Sequence, residues 1–110
     1  MSLRIEKSRH AKAHVLRFCG QLDVLDSREI PGQLLPFTRR RLGTVVLDLS
    51  ESSFIDSQWL AVFIRFHELS NLHKNKLWFC IPEGTVYDLF NATGLTKIFD
   101  VVHSLEEIEA

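Results

Sequence analysis

An acid and a small hydroxyl stand side by side at Asp56-Ser57, between the apolar run "TVVLDL" (44–49) and a second apolar stretch that Trp59 opens. A serine in that place has two uses. Its oxygen can accept a hydrogen bond from a free backbone N–H and cap the helix that follows. Or it can belong to a regulatory site at the carboxyl edge of a sheet, where open α/β folds collect function. Position alone favours the cap. Elsewhere the reactive residue types are not gathered. The sequence has no glycine-rich phosphate loop, no nucleophile elbow and no paired-carboxylate motif. His10, His14, His67, His73 and His103 are scattered through different segments. Cys19 and Cys80 lie in apolar, strand-like runs and read as buried free thiols, without the spacing of a metal site. No enzymatic activity, cofactor or metal is expected.

The elements that must position this corner follow from periodicity. "LRIEK" (3–7) and "AHVLRFC" (13–19) alternate apolar and polar, as half-buried strands do, and "SRHAK" between them closes a hairpin. Pro31 and Pro36 allow only a short or broken helix before "RRRLG", whose arginines read as a solvated end. "TVVLDL" and "KLWFCI" (76–81) are apolar on both faces and predict interior strands of a covered sheet. Residues 57–73 predict a helix, and "TVYDLFNAT" another, with Val86, Leu89 and Phe90 on one face and Gly94 as its stop. "KIFDVV" (97–102) predicts a last strand. "SLEEIEA" predicts a last helix, with Ser104 and Glu107 in a capping box. The order β-β-α-β-α-β-α-β-α gives an α/β fold: a mixed sheet with an initial hairpin, then βα units with helices packed on the sheet. With 110 residues and no repeat or linker, one domain over 1–110 is expected. A net charge of -1 gives no overall sign of a nucleic-acid partner. No apolar run approaches the roughly 18 residues of a membrane span, and the first residues lack a signal-peptide core, so membrane insertion is not expected and the location is expected to be cytoplasmic.

"VVLDLSESSFIDSQWLAVFIRFHEL" resembles the core of the STAS domain, the family of bacterial anti-sigma-factor antagonists. "GQLD" (20–23) resembles the family's turn after the second strand, and "NATGLTKIFDVVHSLEEIEA" its ending. The resemblance covers nearly the whole chain, in order. It implies a regulatory binding protein that switches partners when Ser57 is phosphorylated. The implied partner is an anti-sigma factor that is itself a serine kinase of the histidine-kinase-like ATPase type. The implied contact residues are Asp23, Asp56, Ser57, Gln58, Trp59 and Val62. A STAS subunit of a lipid-transport ABC complex, or a signalling scaffold, uses the same fold without phosphorylation and is the alternative.

Gln58 and Trp59 stand where the family carries a small residue and a glycine. Trp59 is either a binding anchor or a core residue. The helix it opens has two apolar stripes: Leu60, Phe63, Ile64 and His67, and Trp59, Val62, Phe66 and Leu69. By analogy with the family the first packs on the sheet. The second is then partly exposed and offers a partner or homodimer surface; in the other reading both stripes are core.

Overall fold

The computed structural model describes residues 3–23 and 32–108. Five strands form one sheet in sequential order: β1 (Arg4–His10), β2 (Ala13–Cys19), β3 (Thr44–Asp48), β4 (Lys76–Cys80) and β5 (Asp100–Val102). β1 and β2 pair antiparallel, and every later pairing is parallel. The hairpin is tighter than the sequence suggests. β1 runs on to His10, and Ala11 takes a left-handed φ of 53° to turn within Ala11-Lys12.

α1 (Ser57–Leu72) and α2 (Thr85–Ala92) contribute to one core, on the face of the sheet that carries Leu16, Phe18, Val45, Leu47, Leu77 and Phe79. Phe63 lies at its centre, with ring centroids 5.5 Å from Phe18 and from Phe79. The reverse face is covered differently. Ala13, Val15, Val46, Cys80 and Val102 form a second buried cluster with Ile108, with Leu105 and Trp78 packed alongside. This explains why β3 and β4 read as apolar on both faces although both α-helices lie on one.

Three expected elements differ. The helix before "RRRLG" falls partly outside the described residues; within them a 3-10 turn spans Leu35–Thr38, with Pro36 in its first turn. The last strand begins at Asp100, not at residue 97. Gly94 turns left-handed at φ 80°, a 3-10 turn follows at Leu95–Lys97, and Phe99 stacks on Phe79 at 4.3 Å before the chain extends. The C-terminal helix is a 3-10 turn, Leu105–Glu107. Its capping box of Ser104 and Glu107 is present, but Ile108 turns extended to enter the reverse-face core.

Candidate functional site at the carboxyl edge of the sheet

The β3–α1 connection is held to β2 by backbone bonds. Gly20 N donates to Glu51 O, Leu22 N to Phe54 O and Asp56 N to Leu22 O, the last two at 2.9 Å. Leu22 and Ile55 form a parallel bridge, and both are buried. Ser52 is fixed as well: its hydroxyl donates to Phe18 O at 2.9 Å. Asp56, Ser57 and the exposed Asp23 are therefore carried on a braced corner.

Asp56 is the N-cap of α1. Its Oδ1 accepts from Trp59 N at 3.0 Å, and its backbone is extended at φ -99°, ψ 174°. Such a cap is typically worth about 1 kcal/mol. The acid thus takes the role that either residue could have played, and the neighbouring Ser57 is the first helical residue, exposed to solvent. Gln58 is half-buried beside it.

The anchor reading of Trp59 is corrected. Trp59 is 2% exposed, and Val62 and Phe66 are 0% exposed. The indole meets Phe18 edge-on at 5.9 Å and Phe63 at 5.7 Å. Its Nε1 has no hydrogen-bond partner among the described residues. The stripe expected to face a partner or a second copy is the buried one, together with Phe63. Ile64, assigned to the sheet side, is exposed. The cause is the rotation of α1. Ser57, Ala61, Ile64 and Glu68 follow helical spacing along one outer face, which turns the opposite side inward. Trp59 and Val62 therefore give no surface in this fold. Two residues that the sequence reading did not place on the partner surface do: Phe54, 49% exposed just before the corner, and Ile64, 39% exposed on the face that begins with Ser57.

Asp48, at the end of β3, is buried and ion-paired. Arg17 Nε donates to its Oδ2 at 3.0 Å, and its Oδ1 accepts from Ser50 N at 2.9 Å. The hydrogen bond and charge of Asp48 raise the pKa of Arg17. Burial pushes the neighbouring Cys80 thiol up to about 12, with the Asp48 charge adding to it, so the sulfur is a protonated packing group and not a nucleophile. A cleft of about 230 Å³ lies along the same edge between the β3–α1 and β4–α2 connections, lined by Ser50, Ser52, Ser53 and Pro82 to Val86. Among the described residues no cluster of His, Cys, Asp or Glu could hold a metal.

This arrangement, a hairpin followed by parallel βα units, matches known proteins. The STAS domain family model matches residues 4–108, and the chain belongs to that family. It is 30% identical over 114 residues to the anti-sigma F factor antagonist of Paenibacillus polymyxa, covering 99% of this chain and 97% of that one. It is 26% identical to the anti-sigma-B factor antagonist of Staphylococcus epidermidis over 106 residues, covering 96% and 98%. Among solved structures, an anti-sigma factor antagonist from Mycobacterium paratuberculosis superposes with a TM-score of 0.82 at 17% identity, covering 96% of this chain and 90% of that one. The unphosphorylated antagonist SpoIIAA superposes at 0.56 and 14% identity, covering 96% and 92%. At those identities the structures speak to the fold. No helix among the described residues is long and apolar enough to cross a membrane.

Proposed function

We propose that this chain is an anti-sigma-factor antagonist whose binding to an anti-sigma factor is switched by phosphorylation of Ser57. The observation that carries the reading is the division of labour at the corner: Asp56 caps α1, and the adjacent Ser57 side chain is exposed on a braced turn. The relatives named as antagonists support the binding role. A phosphoryl group adds about −1.5 to −2 charges at neutral pH. At the first turn of a helix that charge meets free N–H groups, so the fold tolerates it. At an interface it sits beside Asp56, and desolvating two like charges opposes docking. The switch acts on association and not on folding.

The surface that a partner covers comprises Asp23, Asp56, Ser57 and Gln58, extended by Phe54 and Ile64 in place of Trp59 and Val62. The implied kinase is the anti-sigma factor itself, of the histidine-kinase-like ATPase type. The permanent-interface alternative, a subunit of a lipid-transport complex or scaffold, drew its support from an exposed Trp59 and loses it with the burial of that side chain. Incubation with the candidate kinase and ATP, followed by phosphopeptide mapping, tests the proposal. Label is expected on Ser57 and absent from Ser57→Ala. Ser57→Asp is expected to weaken kinase binding at least tenfold, about 1.4 kcal/mol, while the melting temperature stays within a few degrees, since a carboxylate at a helix start is worth about 0.3–1 kcal/mol. Label on Ser53, which is also exposed, would move the switch off Ser57.

A further inference from the structure

The opposite edge of the sheet has a different character. The hairpin turn, the segment leading into β3, the turn from α1 to β4 and the entry to β5 all lie at the amino ends of the parallel strands. Six exposed cations belong to these four segments: Lys12, Arg39, Arg40, Arg41, Lys74 and Lys97. The segments are tied together. Buried Asn75 accepts from Leu42 N at 2.6 Å and Gly43 N at 3.1 Å and donates to Arg40 O at 3.0 Å, joining the arginine segment to the end of α1. The pKa of His14 on the hairpin is lowered chiefly by burial and further by the charges of Arg9 and Arg40. Asp100, the acid at the mouth of β5, is taken by Lys76 Nζ at 2.6 Å. Among the described residues the exposed charges at the far edge are mostly acids, Asp23, Glu51, Glu83, Glu106 and Glu107; Arg4, which starts β1 opposite Cys19, is an exposed cation there and is paired with Glu6 at 3.0 Å.

Apolar side chains protrude among these cations. Leu72, the last residue of α1, is 70% exposed, and Ile98, beside Lys97, is 55% exposed. Lys74 moreover holds a left-handed φ of 60°, where glycine ordinarily ends a helix. A cation is thus kept at a position whose backbone disfavours it.

We propose that this amino edge docks on an anionic phospholipid bilayer, with the lysines and arginines on the lipid phosphates and Leu72 and Ile98 entering the boundary between headgroups and acyl chains. A nucleic acid would use the cations but would bury neither aliphatic side chain; the pairing of the two chemistries favours lipid. The contact is peripheral. It is independent of the switch proposed at Ser57, which lies at the opposite edge, so either can fail alone.

Co-sedimentation of the full chain with vesicles tests it, using phosphatidylcholine alone and phosphatidylcholine mixed with phosphatidylserine. Retention is expected only on the mixed vesicles and is expected to fall with salt. Each cation neutralised, as in Arg39→Gln with Arg41→Gln, is expected to lower the partition coefficient about fivefold. Leu72→Ser is expected to lower it with no change in charge. Lys74→Gly separates binding from folding: it relieves the left-handed strain, so the protein melts no lower than wild type while retention drops. No retention on the mixed vesicles, or equal retention on phosphatidylcholine alone, overturns the proposal. So does a Leu72→Ser protein retained like wild type with capture of the chain by duplex DNA, which would assign the edge to nucleic acid.

Discussion

Trp59 carries its indole inward against Phe18 and Phe63, and this decides what the corner can offer a partner. Truncating a buried tryptophan typically costs about 3–5 kcal/mol. Trp59→Ala is therefore expected to lower unfolding free energy by that amount in a denaturant titration, and a variant as stable as wild type would contradict its place in the core. At this scale the sequence was half legible. Asp56-Ser57 could be located because capping is local chemistry: a short polar side chain at a strand-to-helix corner meets free N–H groups wherever the rest of the chain goes. Which of the two residues caps was not readable, because both side chains can reach the same donors. Trp59 was not legible either. An indole serves equally as hot spot and as packing, and only the rotation of the helix it begins chooses between them.

That rotation is a property of the element. Arg65 and Glu68, an exposed ion pair at 3.7 Å, lie on the same side of α1 as Ser57, and Ile64 adjoins Ser57 and Glu68 in the helical projection. The charged residues thus marked the outer face more reliably than the apolar stripes marked the inner one, since two adjoining stripes are compatible with several rotations. The strands were legible because β-branched and aromatic residues alternate or run without polar interruption. The start of β5 was not: Phe99 looks like strand sequence, but it stacks on Phe79 before the pairing begins. The connections escaped the periodicity argument altogether. Asn75 is the clearest case, a buried amide that satisfies two N–H groups and a carbonyl of a segment more than thirty residues away in sequence. Asn75→Ala leaves the Leu42 and Gly43 donors without their partner, at roughly 1–3 kcal/mol for each group left buried and unpaired. Calorimetry is expected to show a fall in melting temperature. Asn75→Asp, which keeps an acceptor for both N–H groups, is expected to fall less.

For the molecule as a whole, a net charge of -1 conceals an uneven distribution, with six exposed cations gathered at one edge of the sheet and acids predominating among the exposed charges described at the other. A sum over the sequence carries no position, so this division could not be read before the strands were placed. The arginines of "RRRLG" were read as a solvated end; exposed they are, but Lys12, Lys74 and Lys97 share their edge only because three separate connections return to it. The sealed reverse face has its own consequence, through Cys80. A thiol with a pKa near 12 is thiolate in only about one molecule in ten thousand at pH 8, and here that residue is also buried in the reverse-face cluster that includes Ile108. In a Cys19→Ser background it becomes a clock. An aromatic disulfide reagent can modify Cys80 only in molecules that have transiently opened, so the slow rise in absorbance counts openings of the sheet. If reclosing outpaces modification, the ratio of that rate to the rate in denaturant is expected to equal the equilibrium fraction open. Modification as fast in buffer as in denaturant would mean that the reverse face is not sealed. The same trace, recorded with and without phosphate on Ser57, would time whether the switch at one edge of the sheet loosens the core behind it.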